Sequence, residues 1–394
     1  MPKLSSLPRD EQVTQNAGPT ASNSDDKAKP LVHAAFAPVW IYNPYHGELA
    51  RSLAPQGVRV EQFERFKELY QRFRANEMPL QILHLHGLPF FLWRPIDLIR
   101  YVVFVGRLLR LRRRRVRIVW TIHDYRNHDN PRWRIEHCIG WLIARRVDAL
   151  IVHGAMAKQI VVAGWGKAIE SRVHIIPHGN YINSYPNHIG REEARRRLGL
   201  DSRSRVLLFL GWIRPYKGVS DLIRIFRQRP DRNARLVVAG RPIDAAIDQN
   251  MKSLIGEDSR ICYRPGFVDQ ADVQIYMNAS DVMVLPYERV FTSGAAVLAM
   301  SFGKACIAPK MGGVVDALDC RGAVMFDPAK PQDLERALTE VLDGRHDLAA
   351  MAAHNRARAV EWSWSEVGQR TAAIYRACLD GSIASSGRRG LRPD

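Results

Sequence analysis

The chain has 394 residues, 46% hydrophobic and 25% charged, so it is long enough for two α/β domains of ordinary size. Its formal net charge of +18 indicates an anionic partner such as nucleic acid, acidic lipid or a phosphorylated ligand. The five cysteines form no Cys-x-x-Cys pair and no Cys/His cluster, which argues against a zinc site and a disulfide framework and favours a reducing cytoplasm.

The first half of the chain alternates short apolar runs with segments of helical spacing. Residues 1–30 are polar and lack the apolar segment of a signal peptide, so we predict a disordered leader. A helix is predicted at 45–53, and strands at 58–60, 82–85, 117–122, 148–152 and 173–176. Polar residues follow most of these strands. This rhythm predicts a parallel sheet, with ligands bound beyond the carboxyl ends of its strands.

The rhythm restarts after a polar linker at 180–190. Strands are predicted at 206–210, 235–238, 261–263, 282–285 and 304–307, with a helix at 219–226. We therefore expect two Rossmann-like, doubly wound α/β domains at 31–185 and 186–364. A helix at about 365–380 is expected to pack back on the first domain, before a disordered tail at 381–394.

Two loops of the second domain are suited to anions. In the segment FLGWIRPYKG, Gly211 makes the turn after a strand, and Arg214 and Lys217 precede a helix whose N–H groups are suited to a diphosphate. A solvated loop is the alternative. The second loop ends in the helix start formed by Thr292, Ser293 and Gly294, whose hydroxyl and N–H groups suit phosphate oxygens, although a plain capped helix is nearly as compatible.

These two loops, together with GFVDQADVQIYMNASDVMVLPY and SGAAVLAMSFGKACIAPKMGG, resemble the C-terminal half of family-four-type glycosyltransferases. The resemblance covers about 31–379 in order, and NPY, HLHG, WTIHDYRNHD and IPHGNY are similar to a bacterial subgroup that assembles exopolysaccharides from lipid-linked acceptors. It implies the GT-B fold, two Rossmann-like domains facing a central cleft, with Arg214 and Lys217 on the donor diphosphate. The residues expected around donor and acceptor are Gly211, Tyr287, Glu288, His178, Asn180 and Asn43.

The sequence departs from the family at one point. Many retaining members carry a Glu-x7-Glu pair, but Val290 and Leu298 stand at those positions here. The Thr-Ser-Gly element instead resembles inverting β-glycosyltransferases of the same fold. The expected reaction is inverting transfer of mannose, glucose or glucuronic acid from a GDP- or UDP-linked donor. A retaining transferase with the same donor site is the alternative.

Inversion requires a general base beside the acceptor hydroxyl. The loop at 123–129 offers Asp124 and Asp129, of which Asp129 matches an acidic position of the subgroup, while His123 is expected to contact the donor sugar or its phosphate. A polar turn in which the aspartates cap the next helix is the alternative. Taken singly, His84, His86 and His178 are typical of hydrogen-bonded structural histidines. No Asp-x-Asp motif appears in the expected loop, so we expect no metal and no other cofactor.

The basic excess is concentrated at 88–117, where an apolar stretch is followed by seven arginines. Charges interrupt the stretch, so it predicts an interfacial helix on anionic lipid rather than a bilayer span. The alternative is an ordinary crossover helix with a solvated basic end. No nucleic-acid recognition motif is found, so we expect no nucleic-acid partner. We expect instead a peripheral enzyme at the inner face of the cell membrane, with a lipid-linked oligosaccharide as its acceptor. The alternative is a non-catalytic basic protein that binds lipid or nucleic acid. The arginines expected at the lipid are Arg107, Arg110, Arg112, Arg113, Arg114 and Arg115.

Overall fold

The computed structural model describes residues 31–40, 42–88, 96–125, 133–330 and 332–383, which form two six-stranded parallel sheets. The predicted leader, residues 384–394 of the predicted tail and Asp129 lie outside the described residues. The first sheet has the order β2-β1-β3-β4-β5-β6. Its strands are β1 (Val32–Ala37), β2 (Val58–Gln62), β3 (Ile82–Leu85), β4 (Arg117–Thr121), β5 (Ala149–Val152) and β6 (Val173–Ile175). Its helices are α1 (Tyr45–Leu53), α2 (Phe66–Arg74), α3 (Ile96–Arg113), α4 (Trp133–Ala144) and α5 (Ala155–Trp165).

The second sheet has the order β12-β11-β10-β7-β8-β9. Its strands are β7 (Arg205–Leu210), β8 (Ala234–Gly240), β9 (Ile261–Pro265), β10 (Val282–Val284), β11 (Ala305–Pro309) and β12 (Ala323–Phe326). Its helices are α6 (Arg191–Leu198), α7 (Val219–Gln228), α8 (Ala245–Ile255), α9 (Val273–Ala279), α10 (Gly294–Ser301), α11 (Val314–Ala317), α12 (Asp333–Leu342) and α13 (Leu348–Glu361), followed by α14 (Trp364–Leu379). We refer to the parts built on the two sheets as the N-terminal and C-terminal domains.

Burial on both faces explains why these segments form central parallel strands. β7 has the sequence RVLLFL, and its last five residues are buried, as expected for a strand covered by helices on either side. The neighbouring α7 buries Val219, Leu222, Ile223 and Phe226, the one-sided spacing of a helix that packs on a sheet. The predicted pair of doubly wound α/β domains is confirmed.

The last helix crosses back to the N-terminal domain. Tyr375 of α14 is fully buried in the same core cluster as Phe36 of β1 and Leu49 of α1. The crossing is held by the Trp364 indole, which donates to the Asn180 carbonyl at 2.6 Å. Gly179 is required at this point because a Cβ there would lie 2.4 Å from the Trp364 ring. The N-terminal core is therefore completed by the C-terminal end of the chain.

The two domains also contact each other directly. Asp316 of α11 accepts hydrogen bonds from the backbone N–H groups of Met156, at 3.0 and 3.1 Å, and Ala157, at 3.3 Å. These are first-turn N–H groups of α5, which have no partner within their own helix. A side chain of the C-terminal domain thus caps a helix of the N-terminal domain. The contact joins α11, which follows β11, to α5, which follows β5, and so lies beyond the carboxyl ends of strands in both sheets.

The ten predicted strands agree with the structure within two residues, but β1 and β12 were not among them. The signal for β12 was weak. This strand is four residues long and lies at the edge of its sheet, where a short AVMF run follows a turn and gives little periodic signal. Among the helices that the structure describes, none is long and apolar enough to cross a membrane.

Candidate active site

The first anion loop (211–218) connects β7 to α7. Gly211 has a φ of +139°, which favours glycine, and the Nζ of Lys217 would lie 3.7 Å from a Cβ at that position. Gly218, in the left-handed region with a φ of +64°, packs so closely that a Cβ would lie 1.9 Å from the Pro286 carbonyl oxygen. The ammonium of Lys217 lies 5.4 Å from the Tyr287 ring centroid. The loop is thereby held against the second anion loop.

The second anion loop (285–294) leads into α10. Ser293 is the N-cap of this helix, and its hydroxyl accepts from the N–H of Ala296 at 3.2 Å. Thr292 instead donates its hydroxyl proton to the carbonyl oxygen of His123 in the other domain, at 2.6 Å. Glu288 is exposed, and its backbone N–H donates to the Tyr216 carbonyl at 2.9 Å. The structure thus brings the two predicted anion loops together at the mouth of the cleft.

The loop after β4, in the N-terminal domain, faces Lys217 and Arg214 of the first anion loop. Asp124 is exposed to solvent after the carboxyl end of β4, where the charges of Lys217 and Arg214 of the other domain act on it. This environment raises the pKa of its carboxyl to about 6, mainly through desolvation and against the opposing effect of Lys217 and Arg214. Those two cations therefore lie close enough for their charges to act on Asp124. A carboxylate and two cations from opposite domains meet at one site.

Six histidines lie at the carboxyl edge of the N-terminal sheet or beside it. They are His46, His84, His86, His123, His153 and His178. His84 is hydrogen-bonded on both nitrogens, to the Tyr375 hydroxyl at 2.6 Å and to the Thr121 hydroxyl at 2.7 Å. Burial lowers the pKa of His46 to about 4 and that of His178 to about 3. The rings of His46 and His178 are therefore uncharged at neutral pH.

The predicted cleft residues at the domain boundary are held by hydrogen bonds. The Oδ1 of Asn43 accepts from the Tyr45 N–H at 3.0 Å and from the Tyr181 hydroxyl at 3.1 Å. The amide of Asn180 donates to the Ala359 carbonyl at 2.8 Å. His178 is buried, with its Nδ1 2.8 Å from the Gly179 carbonyl oxygen. In this conformation the side chain of Asn180 supports the crossing to α14.

Comparison with known proteins identifies the second half of the chain, because residues 190–358 match the family described as Glycosyl transferases group 1. The chain carries a group 1 glycosyltransferase domain. It is similar to the GDP-mannose:glycolipid 4-beta-D-mannosyltransferase of Xanthomonas campestris pv. campestris, with 25% identity over 68% of this chain and 70% of the relative. It is also similar to D-inositol 3-phosphate glycosyltransferase 1 of Catenulispora acidiphila, with 32% identity over 59% of this chain and 58% of the relative.

Solved structures share the fold of both domains. Sucrose-phosphate synthase from Thermosynechococcus elongatus has a TM-score of 0.71 at 17% identity and covers 89% of this chain and 100% of its own. HepE of Anabaena, in complex with UDP and glucose, has a TM-score of 0.67 at 16% identity and covers 88% and 100%. The GT-B fold implied by the sequence is confirmed. The chain is a nucleotide-sugar glycosyltransferase.

Sequence reasoning missed one cation beside the first anion loop of the glycosyltransferase. Arg241, directly after β8, lies 5.5 Å from the Trp212 ring centroid, and Arg214 lies 5.6 Å from it. Trp212 therefore has guanidinium groups from two different loops against its ring. The strand-end position after β8 was the available signal, but only the tertiary fold shows that Arg241 lies beside Trp212.

The basic segment of the glycosyltransferase forms α3 and the turn after it. Ile99 and Val102 expose 60% and 67% of their surface, while Tyr101 and Phe104 are buried in the domain. Exposed large hydrophobic residues of this helix are Ile96, Leu98, Ile99, Val102, Val103 and Leu109. Exposed arginines nearby are Arg100, Arg110, Arg113, Arg114 and Arg115. One face of α3 therefore combines apolar and cationic side chains.

Two of the predicted lipid-contacting arginines have partners within the protein. Arg107 lies 5.1 Å from the Tyr70 ring centroid, and Arg112 lies 3.9 Å from a carboxylate oxygen of Asp148. A groove of about 430 Å³ between α2 and α3 is lined by Arg74, Arg107, Arg110 and Arg113 together with Tyr70 and aliphatic residues. The exposed arginines are thus the appropriate ones to change in a binding test.

Proposed function

We propose that this glycosyltransferase transfers mannose, glucose or glucuronic acid from a GDP- or UDP-linked donor to a lipid-linked saccharide, with inversion, during exopolysaccharide synthesis. The observation that carries the proposal is the meeting of Asp124 with Lys217 and Arg214 across the cleft. An inverting transfer needs a base on one side of the anomeric carbon and positive charge at the leaving group on the other. In this proposal Asp124 is the base, and Lys217 and Arg214 provide the positive charge.

The proposed donor site uses both anion loops. Lys217 and Arg214 bind the diphosphate, and Ser293 and Gly294 add the first-turn N–H groups of α10. As the bond between the anomeric carbon and the phosphate oxygen breaks, the nucleoside diphosphate leaves with the electron pair, and these groups stabilise its negative charge. We propose that these fixed cations make a metal ion unnecessary at the diphosphate.

The proposed acceptor hydroxyl approaches from the N-terminal domain. Its oxygen forms the new bond to the anomeric carbon while its proton passes to the carboxylate of Asp124 or Asp129. Asp124 is the candidate that the structure describes in the cleft. His123 precedes it, and its backbone carbonyl already contacts Thr292 of the donor side. Closure of the two loops would therefore bring base and donor together.

The relative from Xanthomonas supports the donor and the stereochemistry. Its name gives GDP-mannose as donor, a glycolipid as acceptor and a 4-beta linkage as product. Direct displacement at an α-linked nucleotide sugar produces a β linkage. The test is a panel of GDP- and UDP-sugars with a lipid-linked saccharide, followed by NMR assignment of the anomeric configuration. A product that keeps the donor's configuration would instead establish the retaining alternative.

The exposed face of α3 supports the proposed location at the inner membrane surface. Apolar side chains beside exposed arginines suit the boundary between acyl chains and anionic headgroups. A lipid-linked acceptor is confined to that surface, so attachment would hold the N-terminal domain close to it. Co-sedimentation with anionic vesicles, with a variant of the exposed arginines as comparison, tests this part of the proposal.

A further inference from the structure

A group of three histidines in the N-terminal domain has an arrangement that the proposed roles of Asp124, Arg214 and Lys217 do not explain. His46 lies at the start of α1, His86 follows β3 and His123 follows β4. One ring nitrogen from each of the three lies within 4.8 Å of the others. The parallel topology explains the convergence, because neighbouring strands end at the same edge of the sheet and α1 begins beside it.

The hydrogen bonds around His123 orient one of its nitrogens toward this group. The carbonyl of Ile176 can only accept, so the Nδ1 of His153, 3.0 Å away, carries a proton. The Nε2 of His153 then accepts from the Nδ1–H of His123 at 3.3 Å. The lone pair of His123 is consequently on Nε2, which lies 3.4 Å from the Nδ1 of His86. Metal-binding histidines are commonly oriented by such a second hydrogen bond.

Unpaired nitrogens provide a second, independent observation. His46 is 3% exposed, and neither of its ring nitrogens has a hydrogen-bond partner among the described residues. The Nε2 of His86 is likewise buried without a partner there. In the metal-free protein the Nδ1–H of His86 donates to the Nε2 of His123, so metal binding at Nδ1 would move that proton to the unpaired Nε2. Buried polar atoms are normally paired. His84 shows the contrast, since both of its nitrogens are hydrogen-bonded.

The spacing agrees with a tetrahedral ion. Ligand nitrogens about 2.0–2.1 Å from a tetrahedral Zn²⁺ lie roughly 3.4 Å from one another. The His86 Nδ1 to His123 Nε2 distance is 3.4 Å, and a ring nitrogen of His46 lies within 4.8 Å of a ring nitrogen of each of the other two. We propose that His46, His86 and His123 bind one divalent transition-metal ion, with Zn²⁺ the best match to three imidazoles. The ion would join α1 to the loops after β3 and β4.

This proposal does not rest on the proposed reaction, because its test measures metal rather than turnover. The full chain, without a histidine tag, is stripped with a chelator, equilibrated with Zn²⁺ and analysed by elemental mass spectrometry. We expect one Zn²⁺ per chain in the wild type and a rise in its melting temperature. His46→Gln should bind Zn²⁺ at least tenfold more weakly. His178→Gln is the matched control, a buried histidine outside the group, and it should keep the metal.

Cobalt substitution gives a readout that does not depend on any variant folding. Co²⁺ held by three imidazoles in tetrahedral geometry gives strong visible d–d absorption without the sulfur-to-cobalt band that cysteine ligation would add. Metal-free wild-type protein after Zn²⁺ equilibration, weak octahedral absorption, a sulfur band, or equal Zn²⁺ affinity in folded His46→Gln would each overturn the proposal. The unpaired nitrogens would then belong to a metal-free histidine cluster.

Discussion

The two cations of the first anion loop should account for most of the affinity for the donor diphosphate. The ammonium of Lys217 lies over the Tyr287 ring, 5.4 Å from its centroid, and a glycine at 211 leaves room beside it, so the charge is positioned before the ligand arrives. A hydrogen bond to a charged group contributes about 1.5–3 kcal/mol. Because each 1.4 kcal/mol is tenfold in Kd, Lys217→Ala should weaken nucleoside diphosphate binding about 10- to 150-fold. Arg214→Ala should have an effect of the same order.

Isothermal titration calorimetry with GDP and UDP measures this loss directly. The matched control is Arg224→Ala, which removes an exposed cation of α7 that is paired with Asp221 of the same helix. Its affinity for either nucleotide should equal that of the wild type. The loss in the two loop variants should also shrink with increasing salt, since the interaction is electrostatic. Unchanged nucleotide binding in both Arg214→Ala and Lys217→Ala would refute the assignment of this loop to the diphosphate.

Three further predictions concern the base, the membrane and pH. One of the variants Asp124→Asn and Asp129→Asn should retain donor binding but lose turnover about 10²-fold or more, as measured with a soluble acceptor. Vesicle co-sedimentation at low salt should be lost when three exposed arginines of the α3 region are replaced by glutamine, namely Arg110, Arg113 and Arg114. Burial lowers the pKa of His178 to about 3, below its unfolded value of about 6.5. The unfolded state therefore binds more protons than the folded state below pH 6.5, and the free energy of unfolding falls as the pH drops. His178→Gln should reduce the pH dependence of the unfolding free energy by about 1 kcal/mol per pH unit between pH 6 and 4.

Each of these three predictions has a refuting outcome, and the membrane prediction also has a matched control. Near-normal turnover in both aspartate variants would show that the base lies elsewhere. The membrane control replaces three exposed arginines of the C-terminal domain, Arg196, Arg224 and Arg345, and this variant should still sediment with vesicles. Failure of the wild-type protein to bind anionic vesicles at low salt would contradict the membrane proposal. For pH, the prediction fails if His178→Gln follows the wild-type curve.

The sequence predicts the fold well where burial dictates residue type. The strands at 82–85 and 206–210 are recognisable because a central parallel strand must be apolar on both faces. The anion loops are recognisable because a strand, a turn and a helix start place fixed charges at one point. The sequence does not show which distant residues lie close together in the fold. His46 precedes His123 by 77 positions and lies on a helix, so a search for polar residues after strands does not identify it. The hydrogen bond from the Thr292 hydroxyl to the His123 carbonyl also depends on how the two domains pack, so the sequence did not predict it.

The return of α14 to the N-terminal domain has a consequence for synthesis. The hydroxyl of Tyr375 is hydrogen-bonded to buried His84, 291 positions earlier in the chain. The first sheet is complete once β6 has been made, yet the helix that covers part of it follows about 200 residues later, a delay of about 10–40 s at ordinary translation rates. During that interval α14 has not been synthesised, so the part of the N-terminal domain that it covers lacks this helix. The N-terminal core therefore gains its last helix only after the whole second sheet has been made.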